Sequence, residues 1–139
     1  MPVVDTSIIV ALMLDEPNAE AIDQWLGSVR DLHAPDILAV EVANALIGAQ
    51  RRGRLDENGV RRAFEELADI PIVLHACEPH LPRALDMCLQ YRRRPYDALF
   101  LALAEHLEDP VVTGDLALVR GLEGTSIAKW VRTMDMTSS

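Results

Sequence analysis

Pro2-Val3-Val4-Asp5-Thr6-Ser7-Ile8-Ile9-Val10 is the stretch on which the reading of the whole chain turns. Its apolar residues run continuously instead of alternating, and the run ends on a carboxylate. A short continuous apolar run is the mark of a strand covered on both faces. Thr6 and Ser7 then offer capping hydroxyls for a helix beginning near Ile8. The pattern returns near the other end, where Pro110-Val111-Val112-Thr113 is followed by Gly114-Asp115. If the two strands are parallel, Asp5 and Asp115 project from the same edge of one sheet, which is where α/β proteins place their sites.

The intervening residues alternate between helix and strand. Asp15-Glu16-Pro17-Asn18 breaks the first helix, and a second is predicted from Ala19 to Leu26, stopping at Gly27. Leu32-His33-Ala34 reads as a strand, with Pro35-Asp36 opening a long helix through Gln50 that Gly53 breaks. Asp56 caps a helix from about Glu57 to Ala68, and Pro71-Ile72-Val73-Leu74 is a further strand. Glu78-Pro79 starts a helix to about Tyr91. Pro95 sits where a first-turn proline belongs, ahead of a helix to Leu107. After Gly121 the pattern suggests a short strand near Ser126-Ile127. These alternations predict an α/β protein, a three-layer α/β/α sandwich with a mostly parallel central sheet, as a single domain over 1–139.

Composition agrees with such a domain. The chain has 139 residues, 50% of them hydrophobic, 25% charged and 4% aromatic. At this length roughly two-thirds of the unfolded surface is buried, enough for an aliphatic, alanine-rich core without disulfides. Intrinsic disorder and collagen-like or disulfide-dense folds are excluded. A formal charge of −9 argues against non-specific nucleic-acid binding, although bound cations can reverse the sign locally. The only lysine is Lys129; the other basic residues are arginines, which suit bidentate phosphate contact. With two cysteines, no charged and apolar leader, and no apolar run near 20 residues, the expectation is a soluble cytoplasmic protein with free thiols and no membrane contact.

Two further acids stand out. Glu41 interrupts the apolar helix Leu38-Ala39-Val40-Glu41-Val42-Ala43-Asn44-Ala45-Leu46-Ile47, with Asn44 three residues on along the same face. An unpaired buried carboxylate costs several kcal/mol, so Glu41 either lies on a narrow solvated stripe or faces a cleft, a partner or a metal. Asp97 opens the all-apolar run Ala98-Leu99-Phe100-Leu101-Ala102-Leu103-Ala104, where a helix dipole favours an anion. Strand-end turns and capping would account for Asp5, Asp97 and Asp115 taken singly. Together with Glu41 they suggest a site for a hard cation, since magnesium and manganese prefer oxygen ligands. Without one the group is unfavourable, because two carboxylates about 5 Å apart repel by roughly 3 kcal/mol at an effective dielectric of 20.

At these residues the sequence resembles the PIN-domain ribonucleases, and more closely the small VapC-type toxins of prokaryotic toxin–antitoxin pairs. The resemblance rests on Val4-Asp5-Thr6-Ser7, Glu41-Val42-Ala43-Asn44-Ala45-Leu46, Tyr96-Asp97-Ala98 and Val112-Thr113-Gly114-Asp115, in that order. It implies a PIN-like fold and a metal-dependent endoribonuclease in which Asp5, Glu41, Asp97 and Asp115 are catalytic. Asp5, Asp97 and Asp115 would hold Mg2+ or Mn2+, and Glu41 would position or deprotonate water. Thr6, Ser7, Asn44 and Thr113 would support those ligands. It further implies an RNA substrate, a small cognate antitoxin with basic side chains and a homodimer. Gly114 departs from the family, where residues bearing side chains are common at that place.

Arg92-Arg93-Arg94, flanked by Tyr91 and Tyr96, is a candidate RNA contact, or a solvated helix end. Five arginines between 51 and 62 make a second basic patch suited to RNA or to a partner. His75, Cys77, His80 and Cys88 are spaced too tightly for usual structural zinc and read as ordinary junction residues. The alternative function is a non-catalytic PIN-like module binding RNA or protein. Phosphatase and receiver-type phosphotransfer readings fail because positions 7 and 4 are Ser and Val, not acids, and the sole Lys is Lys129.

Overall fold

Val3 and Val4 are fully buried and form β1 (Val3–Val4), the central strand of the sheet. The computed structural model describes residues 2–134. Among them β2 (Leu32–Pro35), β3 (Ile72–His75), β4 (Val111–Thr113) and β5 (Val131–Thr133) complete one all-parallel sheet in the order β3-β2-β1-β4-β5. Val3 lies opposite His33 on one side and Val111 on the other, and Val4 lies opposite Val112.

The helices are α1 (Thr6–Met13), α2 (Ala19–Ser28), α3 (Leu38–Arg51), α4 (Glu57–Glu66), α5 (Leu81–Tyr91), α6 (Pro95–Leu107) and α7 (Leu116–Leu122). They cover the sheet in the predicted three-layer α/β/α arrangement. α6 packs over β1, β2 and β4 and carries α5 outside it, while α1 packs on α2, α3 and β4. Every residue of α6 from Ala98 to Ala104 is buried, as an all-apolar run requires. Each large side chain there contributes about 1.5–3 kcal/mol by leaving water. The core is aliphatic and alanine-rich, with Phe100 its only large aromatic among the described buried residues.

Several boundaries differ from the sequence reading. Thr6 and Ser7 do not cap α1; they are its first residues, and Asp5 is the N-cap through its backbone. α2 runs through Gly27 to Ser28, whose hydroxyl donates to the Trp25 carbonyl at 2.8 Å and so satisfies the helix end. Pro35 belongs to β2, opposite His75, so α3 begins only at Leu38. α4 starts where expected, with Gly59 N–H donating to Asp56 Oδ1 at 2.6 Å. It ends at Glu66 and tightens into a 3-10 turn, Leu67–Asp69. Another such turn, Glu78–His80, precedes α5. α3 stops as predicted at Gly53, whose φ of +77° suits glycine and reverses the chain.

No strand forms at Ser126-Ile127. Those residues turn the chain, with Trp130 N–H donating to the Ile127 carbonyl and Ser126 hydrogen-bonded to Tyr91. The strand is β5 instead, where Val131 is buried and both Arg132 and Thr133 are exposed. One apolar residue on a short edge strand leaves no periodic signal.

Candidate active site at the carboxyl edge of the sheet

From β1 the chain builds outward to β2 and β3, then returns to lay β4 on the opposite side of β1. The direction of strand addition therefore reverses between β1 and β4, and a crevice opens beyond their carboxyl ends. Asp5 follows β1 and Thr113-Gly114-Asp115 ends β4, so the two acidic strand ends flank that crevice.

A small hydroxyl network fixes Asp5. Gly114 N–H donates to Ser7 Oγ at 2.9 Å, and Asp115 N–H donates to Thr113 Oγ1 at 3.0 Å. A backbone N–H can only donate, so both hydroxyls accept there and spend their own protons elsewhere. Both spend them on the same atom, Asp5 Oδ2, at 2.8 Å from Ser7 and 2.7 Å from Thr113. Thr113 is fully buried. One carboxylate oxygen is thereby saturated and oriented by the protein, while the network leaves Oδ1 uncommitted. A Cβ at Gly114 would meet Ser7 Oγ at an ordinary 3.5 Å, so the glycine is no steric requirement of this arrangement.

Glu41 stands in the first turn of α3, half-buried, with Oε1 buried and without a hydrogen-bond partner. Burial, then the charges of Asp5 and Asp97, raise its pKa to about 7, against a smaller opposing pull from Arg94. Asp97 lies in the first turn of α6. Its pKa is also raised, by burial first, with Asp5 and Asp115 adding to the effect and Arg94 opposing it. These mutual influences place the carboxyls of Asp5, Glu41, Asp97 and Asp115 in one electrostatic neighbourhood. Asp115 is exposed, and its Oδ1 accepts from Leu118 N–H at 3.1 Å as the N-cap of α7.

The neighbouring polar residues divide. Ser7 and Thr113 bond Asp5 directly. Thr6 Oγ1 is buried without a partner, and Asn44 is exposed on α3. The arginine triplet also splits. Arg92 is exposed in a left-handed conformation that ends α5. Arg93 donates to the Tyr91 carbonyl at 3.1 Å and lies against Gly121, turned into the fold. Arg94 alone reaches the acids, with Nε 3.5 Å from Asp97 Oδ2. Sequence reading grouped the three and missed that pairing, although the i,i+3 spacing at a helix start would have allowed it. In the second basic patch, Arg54 pairs with Glu16 and Arg61 with Glu57.

Among the described residues, no three His, Cys, Asp or Glu side chains close into a ligand cluster. The donor chemistry nevertheless fits a hard divalent cation. Every donor is an oxygen, Glu41 Oε1 is buried and unpartnered, and burial and neighbouring carboxylates raise the pKa of Glu41 and of Asp97, which a cation would relieve. His75 belongs to a different group, with its Nε2 2.7 Å from Nδ1 of His33, while His80 stacks edge-on against His106. Cys77 and Cys88 are free thiols. No helix among the described residues is long and apolar enough to cross a membrane.

Known proteins share this fold. The PIN domain family model matches residues 3–121, and the chain belongs to the PIN-domain family. Within that family it is similar to VapC ribonucleases. Ribonuclease VapC3 of Pyrobaculum aerophilum is 34% identical over 118 residues, covering 84% of this chain and 90% of that one. Ribonuclease VapC1 of Mycobacterium tuberculosis is 32% identical over 124 residues, covering 86% and 91%. The crystal structure of PAE2754 from Pyrobaculum aerophilum superposes with a TM-score of 0.67 at 25% identity, covering 88% of this chain and 80% of that one. A toxin–antitoxin complex from Klebsiella pneumoniae contains a chain of the same fold, with a TM-score of 0.63 at 18% identity over 96% and 97%.

Proposed function

We propose that this protein is an Mg2+- or Mn2+-dependent endoribonuclease, the toxin of a toxin–antitoxin pair acting in the cytoplasm. The observation that supports the reading is the influence of Asp5 and Asp97 on Glu41, whose pKa is raised to about 7, and of Asp5 and Asp115 on Asp97, beyond the carboxyl ends of β1 and β4. Asp5, Asp97 and Asp115 would hold the cation. When bound, it supplies activation of water and neutralises charge that builds on the phosphate.

The protein's own residues do the rest. Ser7 and Thr113 hold Asp5 Oδ2 and so aim Oδ1. Glu41 carries a proton-accepting oxygen, Oε1, with no competing partner, and its pKa suits proton transfer near neutrality. The partner is a small antitoxin presenting basic side chains to the acidic crevice. Leu81, Leu85 and Leu89, one turn apart and exposed on α5, support a homodimer. Arg94, exposed beside Asp97, and Arg92, exposed at the end of α5, are the arginines of the triplet best placed to meet RNA.

The test is cleavage of cellular RNA by contaminant-free wild type, Asp5→Asn and Asp97→Asn, with new 5′ ends read by sequencing. Both variants are expected to fold, by circular dichroism, and to lose cleavage. Full activity in either sinks the assignment. An inert wild type that still binds RNA or protein would make this a non-catalytic PIN-like module.

A further inference from the structure

Arg94 is oddly placed for stability. It is the N-cap residue of α6, its side chain makes no cap, and a cation at a helix N-terminus opposes the dipole. Its neighbour Arg93 is anchored to the Tyr91 carbonyl, so nothing local obliges Arg94 to turn the other way. It nonetheless places Nε 3.5 Å from Asp97 Oδ2, an oxygen of one of the three residues proposed to hold the divalent cation. Its guanidinium is also felt across the crevice, where it opposes the upward shift of Glu41 as well as that of Asp97. With a side chain 77% exposed, Arg94 is free to leave along its own stem into water.

We infer that Arg94 is a built-in counter-cation of the carboxylate crevice, which holds Asp97 in the absence of metal and is displaced when a divalent cation takes that carboxylate. This rests on the proposed metal site. The same charge therefore has two opposite effects. Without metal it relieves repulsion among Asp5, Glu41 and Asp97 and stabilises the fold. With metal it competes for Asp97 and raises the cation concentration needed to load the site.

The experiment titrates MgCl2 alone into wild type, Arg94→Gln, Arg94→Lys and Asp97→Asn, following heat by calorimetry and melting temperature by circular dichroism. Removing the positive charge that competes for Asp97 is expected to tighten Mg2+ binding roughly 3- to 10-fold. That gain is expected to shrink as ionic strength rises from about 0.05 to about 0.5 M. Without metal Arg94→Gln is expected to melt below wild type, and Arg94→Lys is expected to stay near wild type in both respects. A merely structural arginine would lower the melting temperature without tightening Mg2+. Equal or weaker Mg2+ binding in Arg94→Gln, with binding lost in Asp97→Asn, overturns the role of Arg94 and leaves the metal site standing. Wild-type Mg2+ binding in Asp97→Asn overturns both.

Discussion

Replacing Glu41 by Gln in the metal-free protein is expected to stabilise it at pH 8 and leave it little changed at pH 5. In the fold the carboxyl titrates at about 7, against 4.5 for the free group. The folded chain therefore holds this proton where the unfolded chain has released it. Between those values stability falls as pH rises, and the favourable contribution is complete only below about 4.5. The rise from 4.5 to about 7 corresponds to about 3 kcal/mol, at roughly 1.4 kcal/mol for each pH unit. Glu41 is only half-buried, and solvent screening reduces this to about 1–2 kcal/mol. Gln is uncharged at every pH and nearly the shape of the protonated acid, so it removes that penalty at pH 8 and changes little at pH 5. For a chain of this size the gain is a melting shift of about 3–8 °C. Thermal unfolding in a chelator, followed by circular dichroism at both pH values, measures it. A variant less stable than wild type at pH 8, or an equal gap at both pH values, would refute the crowding of Glu41 against Asp5 and Asp97.

Three further outcomes are expected. A chelator stops RNA cleavage, and Mg2+ or Mn2+ restores it while Ca2+, with its looser coordination, does so poorly; chelator-resistant cleavage would point to a metal-free nuclease. Thr113→Val keeps the shape of a fully buried side chain but removes one of two protons held on Asp5 Oδ2 and the acceptor for Asp115 N–H. It is expected to cost about 1–3 kcal/mol in urea unfolding and to reduce cleavage, and unaltered stability would show the network to be slack. Leu101→Ala, in the fully buried middle of α6, is expected to cost about 2–5 kcal/mol by the same measurement, and a loss under about 1 kcal/mol would contradict its place in the core.

The sequence alone determined the alternation of elements and the acids at their ends. Val3-Val4 and Val111-Val112 are continuous apolar runs because a central parallel strand is covered on both faces, and that requirement is written residue by residue. Ala98 to Ala104 is apolar all round for the same reason. Asp5, Glu41, Asp97 and Asp115 were legible because a carboxylate that ends a buried strand or interrupts an apolar helix must be solvated, paired or bound to a cation. Local pattern could not fix what long-range pairing decides. Pro35 looked like a helix opener until its place opposite His75 made it strand, and β5 rests on a single buried valine held by its neighbour in the sheet. Only the tertiary structure turned the hydroxyl of Ser7 from the helix cap to Asp5, because its second partner, the Gly114 N–H, lies 107 residues away. Only there did one arginine of three reach Asp97 while Arg93 folded back on Tyr91. Spacing along a chain states which charges are present, whereas burial and distance set how strongly each feels the others. The pKa of Glu41 is therefore a property of the fold and not of the sequence around it.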